Sequence, residues 1–404
     1  MIQEIKKMLS LLRFREFERH IHRLTLADHD RILQWSIDKA AGKNDTDSTL
    51  EVFAEDVVSA EGIALCEAIK CEYSGKYKHM SKNLRVLIHL PPMERSPGGN
   101  SLFRNLSESL QFIGVPTKCV MWTDPFMEIL TDFKPTVFLT SDAPDYLDRI
   151  DWKVFTRYRV DRRCMLGLTA SIPEYGSGPL SSRLQWAAKH GVDFYYSFRA
   201  PGYFRERPAY RPFFEEGFQI LSVEFGANPL LYYPIAGIKR DLDYVFLASS
   251  NYDKRARYYE YLSGILAAHP GFINGPGWRH SHTLASAQVH RFLYARARVG
   301  LNLHIDDSID WPSELNERTY ILAACGVPQV VDSAQLLSAR FSAGSFFIAT
   351  NPREYRQLFD EVLASPDLAS QRAALAQREV FSRHTTFHRA ESLVHQLKEL
   401  SRTE

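Results

Sequence analysis

The sequence predicts an α/β chain of two doubly wound parallel sheets in tandem, with a helical extension before them. Short aliphatic and β-branched runs alternate with helical periods from Leu84 onward, the pattern of parallel strands covered by helices on both faces. A length of 404 residues has room for two or three domains. With 45% hydrophobic and 24% charged residues, the composition is that of an ordinary globular protein.

The charge balance narrows the function classes. Forty-nine Lys and Arg stand against 48 Asp and Glu, a net charge of +1. That excludes a protein relying on bulk nucleic-acid affinity, which needs a surplus of cations to displace counterions. Five cysteines (Cys66, Cys71, Cys119, Cys164 and Cys325) form no Cys-x-x-Cys pair, so reduced thiols in the cytoplasm are expected. Met1–Lys7 lacks the apolar core of a signal peptide, and the uncharged stretch 261–278 carries loop residues instead of a membrane span.

Residues 1–83 read as helical. Ile5, Met8, Leu9, Leu12 and Phe17 recur at three-to-four spacing, with Lys6, Lys7, Arg13, Arg15 and Arg19 between them. Such a helix can lie on the inner membrane face, pair with a second subunit or pack on the next domain. The first α/β domain is expected over 84–236, with strands at 85–90, 118–122, 136–140, 164–168 and 193–196. A Gly98-Gly99 turn opens its first helix, where Leu102, Leu106 and Leu110 share a face. The second domain is expected over 237–385, joined near Tyr232-Tyr233-Pro234, with strands at 244–248, 272–274, 299–304 and 328–332. Gly326 follows its helix 317–325 as the C′ residue, and Pro352 opens a later one. A C-terminal helix takes 386–404. Ligands of such sheets bind beyond the carboxyl ends of the strands, and two facing sheets make a cleft for a small molecule.

Several motifs of the second half occur in a familiar order. Phe246-Leu247-Ala248-Ser249-Ser250 precedes Lys254-Arg255; Gly275-Pro276-Gly277-Trp278, Leu301-Asn302-Leu303-His304, Arg318–Gly326 and His384–Arg389 follow. With Glu224–Pro229 and Tyr233-Pro234 as a hinge strand, residues 220–395 resemble the bacterial spore-maturation-type glycosyltransferases of the GT-B superfamily. From 84 to 220 the resemblance is architectural only.

The resemblance implies a nucleotide-sugar donor held by the second domain and a glycan, lipid-linked glycan or protein acceptor held by the first. The nucleotide-sugar is a substrate, so no cofactor is expected, and no metal. A helix led by Ser313, Asn316 and Glu317 would point its N–H groups at the diphosphate. Arg318, in its first turn, matches the family's arginine and has the planar fork suited to phosphate, unless it pairs with Glu314. Ser249, Arg255, Gly277, Arg279 and His304 are further donor-side residues, and Trp278 either stacks on a base or caps the core. Gly98 and Gly99 would face the acceptor. An inverting reaction needs a base, for which Asp142 and Glu174 are the carboxylates that follow first-domain strands. One position departs: many relatives carry a glutamate, resembling a ribose ligand, where this chain has Ile321. A non-catalytic binding scaffold and a nucleotide-sugar epimerase are therefore the alternatives.

Other patterns carry less. Asp28-His29-Asp30, Asp45-Thr46-Asp47 and Asp241-Leu242-Asp243 resemble metal-binding Asp-x-Asp but stand in the wrong elements, and His384 with His388 lacks a third ligand. No Gly-x-Ser-x-Gly nucleophile motif occurs.

Overall fold

The computed structural model describes residues 2–43, 57–170, 178–250, 254–279, 281 and 283–403. They fall into two compact units, each gathered from separated stretches of chain. One takes residues 70–228, 311–314 and 384–404; the other takes 1–69, 229–310 and 315–383.

In the first of these, six strands form one sheet: β1 (Val86–Leu90), β2 (Thr117–Met121), β3 (Val137–Ser141), β4 (Met165–Thr169), β5 (Phe194–Ser197) and β6 (Ile220–Ser222). Their order is β2-β1-β3-β4-β5-β6, and every pairing is parallel. All five residues of β1 and of β3 are buried, the polar His89, Thr140 and Ser141 included, as in parallel strands covered on both faces. Leu87, Phe138, Phe155, Leu166, Tyr195 and Phe213 lie at the centre of the core. The helix Pro97–Phe112 begins with Pro97 at its first position and Ser96 as N-cap, whose Oγ accepts from the Gly99 N–H at 3.3 Å. Gly98 and Gly99 thus lie inside the first helical turn, not in a turn ahead of it.

The C-terminal helix Thr386–Thr403 packs on that helix, with Phe387 stacked on Phe112 at 4.5 Å between centroids. Farther along it, Glu391 accepts from Tyr73 at 2.6 Å, Tyr77 at 2.7 Å and Lys76 at 2.9 Å. Burial alone would raise this carboxyl, but the three donors outweigh it and hold it down to about 2. Its contribution to stability is therefore present above the unfolded value of about 4.3 and disappears as pH falls toward 2. Glu391→Gln is expected to cost about 2 kcal/mol in urea unfolding at pH 7, with the gap to wild type closing in acid.

In the other unit, β7 (Leu242–Leu247), β8 (Gly271–Asn274), β9 (Ala297–Asn302), β10 (Gln329–Asp332) and β11 (Phe347–Ala349) form a second parallel sheet. The order is β11-β10-β9-β7-β8. In both sheets the strand order reverses beside the first strand, between β1 and β3 and between β7 and β9, which are the switch points where doubly wound sheets bind ligands. The 39-residue helix Ile2–Ala40 packs against this sheet's helices Arg255–Ala268 and Ala287–Ala295. Phe14, Phe17 and Ile21 enter the same core as Phe246, Tyr258 and Trp278. Of the three roles open to this helix, packing on an α/β domain is the one seen. The expected extension over 1–83 is divided, residues 1–69 going with this unit and 70–83 with the other. The side chains of Ile5, Met8 and Leu9 lie outside the described residues.

Two strands escape the sequence pattern. β6 and β11 have three residues each and stand at sheet edges. The expected hinge strand at 224–229 makes one isolated bridge, Ala227 with Thr385.

Candidate functional site

The switch point between β7 and β9 holds one arginine. The Arg318 Nε donates to the Leu247 carbonyl at the end of β7 (3.1 Å), and its Nη1 to Asn302 Oδ1 at the end of β9 (3.4 Å). The guanidinium lies 4.9 Å from the Phe246 ring centroid. Arg318 is half-buried in the first turn of the helix Glu317–Ala324. Glu314, the alternative partner, pairs with Arg199 instead.

That helix is fixed from its N-cap. Asn316 accepts from the Thr319 N–H at 3.1 Å and donates to Asn302 Oδ1 and the Leu303 carbonyl, both at 2.9 Å. Glu317 opens the helix, where its negative charge complements the macrodipole. Beneath lies a buried polar network. Asp332, at the end of β10, accepts from His304 Nδ1 at 2.6 Å, from the His304 N–H at 2.8 Å and from Arg257 at 2.9 Å. The other ring nitrogen of His304, Nε2, lies 3.0 Å from the Thr319 hydroxyl. Thr319 also accepts from Asn302 Nδ2 at 2.9 Å, which closes the network onto the switch point. His304 is thus beneath the capped turn, with both ring nitrogens engaged by protein.

The loops after β7 and β8 lie on one another. Gly275 has φ +147°, and a Cβ there would collide with the Ala248 carbonyl, so the close approach requires glycine. Trp278 is only 4% exposed. Its indole N–H donates to the Ala248 carbonyl at 2.7 Å, and Phe14, Phe246 and Tyr258 surround its ring. Of the two roles expected for it, the core role is the one taken; no ring face is left for a base. Arg255 is occupied too, donating to the Ser250 carbonyl at 2.9 Å and lying over Phe14 at 5.5 Å. Ser249 accepts from Lys254 at 3.3 Å. Gly277 and the Arg279 side chain are exposed, while the Arg279 N–H donates to buried Glu18 at 2.8 Å.

The remaining residues belong to the other unit. Asp142 is 2% exposed and forms a buried ion pair with Arg183, so an anchored carboxylate stands where a free base was expected. Glu174 lies outside the described residues. Ser313, expected at the donor helix, instead accepts the Ala200 N–H on its carbonyl at 2.7 Å and is grouped with this unit. Gly98 is exposed, and Gly99 lies against Ser96. At the carboxyl end of β1, His89 bonds Thr140 at 2.9 Å, and burial pulls its pKa down to about 4, so it is neutral at physiological pH.

Among the described residues no group of three His, Cys, Asp or Glu side chains is arranged to hold a metal ion. His384 Nδ1 accepts from Arg389 at 3.0 Å, Asp241 takes Arg296 through both oxygens, and Asp243 takes Arg298. Asp45 and Asp47 lie outside the described residues. No described helix is long and apolar enough to cross a membrane.

Sequence reasoning missed Asp332, Arg257, Thr319 and the partnership of Arg199 with Glu314. Asp332 did leave a signal, an acid ending the buried run Val330-Val331 at the ligand-binding end of a strand. Arg257 and the Arg199–Glu314 pair needed the fold, since their partners lie far away in sequence.

Comparison with known proteins bears on the family and the fold. Residues 255–395 match a family model described as glycosyl transferase-like. No curated protein matches the chain. A glycosyltransferase from Rickettsia africae aligns at TM-score 0.53 with 11% identity, over 80% of this chain and 100% of that one. Sucrose-phosphate synthase from Thermosynechococcus elongatus aligns at 0.52 with 14% identity, over 79% and 100%. Anabaena HepE, solved with UDP-glucose, aligns at 0.50 with 11% identity, over 78% and 100%. Likeness at these identities establishes the architecture: two parallel α/β sheets in the GT-B manner.

Proposed function

We propose that this chain, whose residues 255–395 are a glycosyl transferase-like domain on a GT-B fold, transfers a sugar from a nucleotide-activated donor to an acceptor. The observation that carries the reading is Arg318, held at the β7/β9 switch point inside the matched segment. In the transfer, the bond between the anomeric carbon and the diphosphate oxygen breaks and that oxygen keeps the electron pair. The anomeric carbon bonds to an acceptor oxygen, which gives up its proton. Arg318 and the capped N-terminus of Glu317–Ala324 would meet the charge developing on the diphosphate.

The HepE structure contains UDP-glucose, which makes UDP the first nucleotide to test. This reading assigns no cofactor and no divalent ion, because a guanidinium and helix N–H groups supply the positive field. Turnover should then persist in EDTA. Asp142, neutralised by Arg183, is better suited to anchoring the acceptor-side sheet than to accepting a proton. The near-neutral charge and five cysteines without a Cys-x-x-Cys pair fit a cytoplasmic setting.

A thermal-shift series with UDP, GDP, dTDP, ADP and CMP tests the donor site. A nucleotide at 100 times its Kd stabilises the native state by about 2.7 kcal/mol. Should none of the five raise the transition, the donor assignment is wrong. Ile321, where many relatives have glutamate, favours a second reading, a binding scaffold without turnover. A nucleotide that stabilises the protein while its sugar conjugate is neither transferred nor hydrolysed would favour that reading.

A further inference from the structure

Beyond β4 and β5 a pocket of about 240 Å³ opens, formed entirely within the unit of residues 70–228, 311–314 and 384–404. Its walls combine two chemistries. Phe198 and Phe225 contribute aromatic surface; Thr169 and Ser197 contribute hydroxyls; Arg199 and Glu314 contribute a largely buried ion pair. The pair is well braced. Residues 311–314 are tied down by the bond from the Ala200 N–H to the Ser313 carbonyl, and Ser222 Oγ donates to the Arg199 carbonyl at 2.7 Å. The Arg199 guanidinium also lies 5.5 Å from the Tyr203 ring centroid.

We infer that this pocket binds one neutral sugar ring, the acceptor end in the transfer proposed above, on which reading the inference rests. A pyranose presents apolar C–H faces and a rim of hydroxyls that both donate and accept. Aromatic walls suit the faces. A carboxylate that only accepts, beside a guanidinium that only donates, suits adjacent hydroxyls on the rim. The alternatives fit less well. With Arg199 already neutralised by Glu314, a phosphate or carboxylate group finds no uncompensated positive charge, and a lipid chain would leave the buried pair facing hydrocarbon at a heavy desolvation cost. The volume falls below the range of about 300–1,000 Å³ usual for drug-sized ligands, which suits a single ring.

Saturation-transfer NMR on the full chain without nucleotide tests this, using the methyl glycosides of glucose, galactose, mannose and N-acetylglucosamine. Methyl glucuronide and inorganic phosphate serve as charged probes. At least one neutral glycoside should bind. Leu102→Trp, which adds bulk to an apolar lining residue and fills the pocket, should abolish its signal. Glu314→Gln should weaken it at least tenfold, with the nucleotide-induced thermal shift unchanged in both variants. Failure of every neutral glycoside to bind, binding of a charged probe alone, or binding that survives Leu102→Trp would overturn the inference. If Glu314→Gln does not fold, the Leu102→Trp arm decides. Glycoside binding in a protein that no nucleotide stabilises would sink the transferase reading and spare the pocket; nucleotide shifts without glycoside binding would do the reverse.

Discussion

Arg318→Ala is expected to lower sugar transfer by about 10²–10³-fold, measured as kcat/KM for the donor on which the protein is active. The side chain bridges the ends of β7 and β9 from the first turn of a capped helix, so its charge is positioned before any substrate arrives. A charge fixed in advance needs no reorganisation as the diphosphate departs, and that is why its loss should fall mainly on kcat. Arg318→Lys keeps the charge and loses the fork, and it should recover only part of the rate. The same side chain covers Phe246, so Arg318→Met, which restores the apolar stem, separates lost packing from lost charge. If Arg318→Met transfers sugar at nearly the wild-type rate while melting normally, Arg318 is a structural residue and not a leaving-group ligand.

Asp332→Ala should destabilise the chain by about 3–5 kcal/mol, because it leaves the buried His304 Nδ1 without its acceptor and takes from Arg257 the buried one of its two carboxylate partners. The acid dependence follows from the same contacts. Burial alone would raise the Asp332 carboxyl, but hydrogen bonds and charge from His304 and Arg257 outweigh it and hold it below the usual carboxylate range. A carboxyl lowered on folding stabilises fully above its unfolded value of about 3.9, and that contribution is lost as pH falls through the folded value. The gap in denaturant midpoint between wild type and Asp332→Asn should thus be wide at pH 7 and narrow in acid. A loss below about 1 kcal/mol for Asp332→Ala would mean that the network is solvated and does not hold the capped turn. Since His304 supports Thr319 at that turn, nucleotide affinity should fall with stability.

Much of this architecture was legible because the strands of a parallel sheet are buried on both faces. β1, β3 and β10 are fully buried, and each carries an apolar stretch in the sequence: Val86–Ile88, Val137–Leu139 and Val330-Val331. The caps left marks as well: Asn316 ahead of its helix, and Gly326 with φ +67° behind it. Edge strands were harder, since three residues such as Ile220–Ser222 give no period to read. The site divided on the same principle. Arg318 was readable from its place in a helical turn, whereas Trp278 was ambiguous because an indole serves equally as ligand platform and as core. What settled it was Phe14, more than 250 positions earlier in the chain, a contact that no local pattern encodes. Asp142 was readable as a carboxylate following a strand, but its neutralising partner Arg183 lies 41 positions later, on the helix Leu180–Lys189.

The placement of Phe14 also sets a timetable for synthesis. Its helix is synthesised well before its partners Phe246 and Trp278, which follow only after about 230 further residues, roughly 10–50 s at ordinary elongation rates. Throughout that interval Phe14, Phe17 and Ile21 have no native surface to cover them. The nascent chain should be a client for chaperones that hold short aromatic segments, and slowed translation should lengthen its exposure. Cutting the gene between the two α/β halves would make this condition permanent. A donor half expressed from residue 237 onward should be poorly soluble, and adding the peptide 1–43 in trans should rescue it.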